Sequence, residues 1–161
     1  MMARKEIVIQ EVTNLDVAWP EVESLLIGLS EYSAELLGLP RVANWRELLR
    51  ERAPSGPDSL NLLGRIDGKA VGLLSCVIVR NHLQYEETFV YVETGFVQEE
   101  HRRGGITRAL LERAEAWSRT RGINQMRTTV HGSNSLGVEA WSGLGFRMSS
   151  YNMTKWLEAP P

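Results

Sequence analysis

The chain carries one cysteine, Cys76, so an internal disulfide is excluded. That usage suits a reducing compartment, and a cytoplasmic protein is expected. The three histidines stand at 82, 101 and 131, far from one another and from Cys76, and show no zinc-ligand spacing. No metal is expected. No apolar run approaches the ~20 residues of a membrane span. The first ten residues alternate charged and apolar side chains and lack the apolar core of a secretion signal. Neither sign of charge dominates: 18 Lys and Arg face 20 Asp and Glu, for a net charge of −2. A broad basic surface for nucleic acid is therefore not expected. A Gly-Lys-Ser/Thr phosphate loop is missing, and no G-x-G-x-x-G follows an early strand. An NTPase and a dinucleotide-binding fold are both disfavoured.

What is present is enough for one domain. The chain has 161 residues, 43% hydrophobic and 24% charged, a composition that buries a core without disulfides or a structural metal. Residues 6–12 alternate and read as a strand. Pro20 reads as the first residue of a helix over 20–29, with Val22, Leu25, Leu26 and Leu29 at helical spacing. A second helix is predicted over 44–50, with Pro40 breaking the chain between the two. Two apolar runs, 60–66 and 70–79, flank Asp67-Gly68, a strong hairpin signal. After a polar connection at 81–86, residues 88–97 are rich in aromatic and β-branched side chains and read as a long strand. A helix over 106–121 places Ile106, Leu110, Ala114 and Trp117 on one face. A strand over 126–130, a short helix over 136–144 and a final strand over 151–157 complete the order β-α-α-β-β-β-α-β-α-β. This is a single mixed α/β domain over residues 1–161, with a mostly antiparallel sheet flanked by helices.

The segment between the long strand and the following helix carries the chemistry. Its residues Arg102, Arg103, Gly104, Gly105, Ile106 and Thr107 combine a glycine turn with two guanidinium groups. Glycine permits a tight turn and close backbone approach. The first amides of a helix have no intrahelical acceptor and face outward at the positive end of the dipole. Strand, glycine turn and helix together form a cradle for a diphosphate.

This segment resembles the R/Q-x-x-G-x-G/A loop of the GNAT acetyltransferases, with Arg102 and Gly105 on its best-defined positions and Thr107 where Gly or Ala is usual. A second block, from Asn134 through Trp141 to Gly145-Phe146, resembles the family's N-x-x-A-x-x-L-Y-x-x-x-G-F segment. The two blocks cover about a third of the chain, and the element order extends the likeness to nearly all of it.

The resemblance implies acetyl-CoA as cosubstrate and N-acetylation of a primary amine on a small molecule by direct attack. It implies coenzyme A contacts from Phe96, Val97, Arg102, Arg103, Gly104, Gly105, Ile106, Thr107, Asn134 and Trp141. It also implies a bulge in the long strand, near which Gly95 would help; Gly95 serves equally to relieve crowding. Glu93 matches a strand glutamate that serves relatives as general base. On the alternation of Phe89, Tyr91 and Glu93 it would lie against aromatic surface, which raises a carboxylate pKa; an ordinary strand glutamate paired with an arginine reads the same way. His131 is a second base or a capping residue. Trp141 stands where the family's acidic tyrosine is usual, so Tyr151 or water would protonate the departing thiolate. Asn134 reads as a pantetheine contact, a helix cap, or both. Cys76, within an apolar strand, reads as core. Glu31, Glu35, Glu86 and Glu87 would favour a cationic acceptor or form solvated surface. Relatives often dimerise, so a homodimer is an expectation of the resemblance alone. A non-catalytic acetyl-CoA-binding regulatory module is the alternative.

Overall fold

Asn14 sets the start of the first helix. Its side-chain oxygen accepts from the amides of Asp16 and Val17 at 3.0 and 3.2 Å, satisfying two donors that the first turn leaves without acceptors. In the computed structural model, which describes residues 6–81 and 87–157, this helix, α1, spans Leu15–Leu37. The predicted start at Pro20 is corrected: the Asn14 cap opens the helix earlier and Pro20 lies inside it. The predicted end at 29 is also too early. Gly38, at φ 63°, donates to the carbonyl of Ala34 and closes the helix in the left-handed conformation that glycine permits. Helix α2, Trp45–Arg52, is held to α1 by an Arg50–Asp16 ion pair and by the Arg50 guanidinium, 4.6 Å over the Trp19 ring.

Five strands form one sheet in chain order. These are β1 (Ile7–Glu11), β2 (Ser59–Ile66), β3 (Lys69–Asn81), β4 (Glu87–Val97) and β5 (Met126–Thr128). The first four are antiparallel, and β5 runs parallel to β4. The predicted β2–β3 hairpin is present. Asp67 and Gly68 have φ of 50° and 78°, the paired left-handed geometry that matches strand twist. The connection predicted at 81–86, with Glu86, falls largely on residues 82–86, which lie outside the described residues. Helix α3, Ile106–Arg119, crosses from β4 to β5, and α4, Ser135–Gly143, follows β5.

The α/β single-sheet architecture is the expected one, but its last element is not. Residues 147–157 form no strand, and Tyr151, Met153 and Leu157 are exposed by 81%, 94% and 87%. A period-two pattern specifies a strand only where a neighbour supplies hydrogen bonds and a face to cover. β5 ends at Thr128, two residues earlier than predicted, and offers only three residues of edge. Among the described residues no helix is long and apolar enough to cross a membrane.

The sheet has a core on each face. On one, Ile106, Leu110, Ala114 and Trp117 of α3 pack with Leu62, Leu74, Val90 and Val92. On the other, Val22 and Leu25 of α1 pack with Leu63 and Leu73. Gly64 and Gly72 face each other across β2 and β3 beneath the first turn of α3. A Cβ at either would lie 2.7 or 2.9 Å from Ile106 Cγ2, so the two glycines let that turn sit directly on the sheet. Gly64→Ala should destabilise the protein by about 1–3 kcal/mol through overpacking. At ~2–4 °C per kcal/mol for a chain of this size, thermal denaturation would read the loss as a lowered Tm.

Candidate active site

Strands β4 and β5 pair only over Val90–Val92 and Met126–Thr128. Beyond that point β4 continues to Val97 with no β5 partner. The ladder between β3 and β4 shifts at the same place: Ser75 faces Thr94 and Cys76 faces Val92, leaving Glu93 as the extra residue. This is a bulge, and it re-aims side chains. Consecutive residues of a regular strand point to opposite faces, yet Glu93 and Thr94 line the same cavity. The bulge is therefore at Glu93, two residues before Gly95. Gly95 instead makes room for Trp141, since a Cβ there would lie 2.6 Å from the indole Cζ2.

After Val97 the chain makes a short 3₁₀ turn, Glu99–His101, and enters the arginine-glycine loop. Arg103 has φ 62° and Gly105 φ 89°. Among the described residues, no acceptor takes the amide hydrogens of Arg103, Gly104, Gly105, Ile106, Thr107 or Arg108; the first bond into α3 is donated by Ala109 to Gly105. Six successive N–H groups at a helix N-terminus, two of them on residues with left-handed φ, are an arrangement of the kind that can receive an anion. Arg102 does not reach freely from it. Its Nε donates to the Val97 carbonyl at 3.0 Å, and its guanidinium lies 5.2 Å from the Tyr32 ring centre and 6.0 Å from that of Phe96. The two remaining nitrogens of Arg102 and the exposed Arg103 side chain leave cationic donors beside the amide row.

The side chains of three predicted cofactor contacts pack against other parts of the protein. The Ile106 and Val97 side chains are 1% and 7% exposed and belong to the core. Phe96 packs under α1, where a Cβ on Gly28 would lie 3.0 Å from its Cζ. Phe96 stays half-buried and lines the cavity beside Arg102. Thr107 is half-buried at the first turn of α3. Trp141 fills the space over Gly95, edge-on to Phe146 at 5.1 Å between ring centres, and joins the core around α3.

Asn134 caps α4 by accepting from the Gly137 amide at 2.9 Å, and it also accepts from the Tyr32 hydroxyl at 3.0 Å. Tyr32 thus touches both Arg102 and Asn134, tying α1 to the two matched blocks. Nothing local in the sequence marks Tyr32, since its partner lies 102 residues away. Arg108 was also missed: its guanidinium reaches the Gly143 carbonyl at 3.4 Å, linking the first turn of α3 to the end of α4. His131 lies three residues past β5, exposed, with Nδ1 2.7 Å from Ser133 Oγ. Tyr151 is exposed on the unstructured tail and is not brought to Glu93.

Glu93 opens into a cavity of about 460 Å³ between the sheet and α1–α2. Among the described residues its carboxylate makes no ion pair and no hydrogen bond, so the pairing with an arginine considered from the sequence is not found. The aromatic neighbours expected for it are engaged elsewhere. The Arg127 guanidinium covers Phe89 at 3.9 Å, and the Tyr91 hydroxyl donates to Thr129 at 2.8 Å. The aromatic ring in this cavity is Trp45 of α2. Two polar residues missed in the sequence, Asn61 and Ser75, line the cavity with Glu93. Ser75 Oγ donates to Asn61 Oδ1 at 2.7 Å, and Asn61 Nδ2 donates to the Pro54 carbonyl at 2.9 Å. Both are buried, but their polar atoms are paired, which offsets desolvation. Glu31 and Glu35 line a different cavity beside Arg102, and Glu87 pairs with Arg127.

Cys76 is fully buried, and its thiol is pushed up to about 12, first by burial and then by the Glu93 charge. At pH 8 about one thiol in ten thousand would be ionised, so it is no nucleophile. The native protein should not react with a thiol-specific disulfide reagent, and modification should appear only on unfolding. Cys76→Ala should retain any activity, which rate measurements on the variant would check.

Several solved structures share this architecture. A mutant of the BH1408 protein from Bacillus halodurans superposes with a TM-score of 0.82 at 21% identity, over 94% of this chain and 99% of that one. The aminoglycoside N-acetyltransferase AAC(6')-Iy, in complex with CoA, gives 0.72 at 15% identity over 96% and 97%. The aminoglycoside 6'-N-acetyltransferase AAC(6')-Ih from Acinetobacter baumannii gives 0.72 at 16% over 96% and 100%. At these identities the likeness is one of fold. No curated protein matches by sequence. The profile of the acetyltransferase (GNAT) family matches residues 20–146, which contain the amide row, the bulge and both matched blocks, and the chain belongs to that family.

Proposed function

We propose that the protein transfers an acetyl group from acetyl-CoA to a primary amine of a small molecule. The observation that carries this is the row of six amides from Arg103 to Arg108 without acceptors among the described residues, placed where β4 parts from β5. A diphosphate fits it: the donors are backbone, the helix end is positive, and Arg102 and Arg103 flank the row. A structure of the same fold was solved in complex with CoA, which supports the same ligand here. The coenzyme supplies an electrophilic thioester carbonyl and a sulfur leaving group.

The residues of the chain then have separable roles. The amide row and Arg102 hold the diphosphate, with Arg102 positioned by Val97 and Tyr32. Asn134, fixed by Tyr32, offers its remaining donors beside the gap. Glu93, without a cation of its own, takes the proton of the attacking amine directly or through water. An alkyl ammonium with pKa ~10.4 is deprotonated in only about one molecule in a few thousand at neutral pH, and a placed base contributes roughly 10²–10⁴-fold. His131, held to Ser133, ranks behind Glu93. Trp141 has only an indole N–H to offer and Tyr151 faces solvent, so water protonates the thiolate. The missing phenol also favours a second reading, a regulatory module that binds acetyl-CoA without turnover.

Gly105→Val forces a side chain onto φ 89° and should displace the amide row. Acetyl-CoA affinity by calorimetry should fall at least about tenfold, with ADP binding weakened in parallel. Unchanged affinity would remove the basis of the proposal. Glu93→Gln should lower kcat/KM for the amine by about 10²-fold at pH 7 while acetyl-CoA affinity holds. The loss should shrink towards pH ~10, where the amine loses its proton unaided. Tight acetyl-CoA binding with no thiol release from any amine would instead establish the module.

A further inference from the structure

The Glu93 cavity also constrains the acceptor, and this inference rests on the transferase reading above. Its walls are chiefly apolar: Leu26 and Leu29 of α1, Leu48, Leu49 and Trp45 of α2. Its size, about 460 Å³, lies within the ~300–1,000 Å³ of ordinary small-molecule sites. Glu93 is the one acidic side chain among the described residues lining it, whereas Arg41 and Arg52 are both cationic. Neither arginine forms an ion pair among the described residues. Arg41 is stacked on Trp45, 4.3 Å from the ring centre. Stacking uses the face of the guanidinium and leaves its N–H edge free for an anion. The lining thus carries one negative group beside the reacting edge of the sheet and two positive groups on the α2 side.

A polycation does not suit this arrangement. An amine with several ammonium groups would bring one partner for Glu93 and leave its other charges beside two arginines and apolar walls, at a cost in desolvation and repulsion. The other acidic residues of this side of the molecule do not help. Glu31, Glu35, Glu99 and Glu100 line the separate cavity at Arg102. We infer that the acceptor is an amine on an apolar body that also bears a carboxylate, such as a hydrophobic amino acid or a short hydrophobic peptide, with its amine at Glu93 and its carboxylate at Arg41 and Arg52.

Transfer would join the amine nitrogen to the acetyl carbon, break the carbon–sulfur bond and pass the amine proton to Glu93. The test is thiol release from acetyl-CoA by the full chain with paired acceptors. Phenylalanine is set against phenethylamine, and leucyl-phenylalanine against its C-terminal amide, so that two carboxylate positions are sampled. Spermidine and kanamycin represent the polycations. At least one acid should exceed its carboxylate-free counterpart by about tenfold in kcat/KM, consistent with a charge-assisted Arg–carboxylate pair at an exposed rim. The Arg41→Gln/Arg52→Gln double variant should bring that acid down to its counterpart. Both side chains are exposed, so the fold should persist, and an unchanged Tm would verify it. Equal rates for acid and counterpart in both pairs, or a polycation as the best acceptor, would overturn the carboxylate assignment and leave the transferase reading standing. Thiol release with no acceptor in the panel, while acetyl-CoA binds, would overturn the transferase reading and this inference together.

Discussion

Ile106 sits against the sheet because Gly64 and Gly72 have no side chains to hold it off, and this contact fixes where α3 begins. A helix start is useful for anion binding only if its amides stay unpaired and its position is rigid. The Ile106 side chain, 1% exposed, provides the second condition. The left-handed Arg103 and Gly105 accompany the first, since among the described residues no upstream carbonyl accepts from the amides of the first turn. The same residue thus gives its side chain to the core and its backbone to the site. Arg102 follows the same logic from the other side. Its Nε satisfies the last carbonyl of β4, and what remains of the guanidinium is held in one direction by that bond and by Tyr32.

The bulge at Glu93 divides the labour on β4. Before it, Val90 and Val92 are core and pair with β5. After it, the strand has no outer partner, and successive residues alternate between Trp141 on one side and α1 on the other. An extra residue in a ladder costs hydrogen-bond regularity. Here it places a carboxylate at the mouth of a cavity that an unbulged strand would have lined with only one of Glu93 and Thr94. Trp141 stabilises the far side by occupying the volume left by Gly95. The indole thereby fills the packing space over Gly95.

The glycine-arginine loop and the Asn134 block were legible because each depends on local chain geometry: positive φ, a helix start, a cap. The Asp67-Gly68 hairpin was legible for the same reason. The errors fall where partners are distant. Pro20 read as a helix start because proline suits that position, but the Asn14 cap upstream supplied two bonds that outweighed it. Residues 151–157 read as a strand yet pair with no neighbour among the described residues. The bulge could not be placed, since it is a mismatch between two strands and appears in neither alone. Tyr32, Asn61 and Ser75 gained meaning only through partners separated by 7 to 102 residues.

Asn61 and Ser75 show how the apolar α1 face accommodates chemistry. Both are polar residues within long apolar strands, 6% and 2% exposed. Together with Thr94 they form a row across β2, β3 and β4 in register. Leu in their place would extend the core around Leu63 and Leu73 and stabilise the sheet. The row instead lies beside the bulged Glu93, and the polar atoms of Asn61 and Ser75 are satisfied by each other and by the Pro54 carbonyl. A self-satisfied pair can line a cavity without demanding a bond from whatever enters it. The Glu93 carboxylate, beside that row, has no such partner among the described residues and is left free at the cavity.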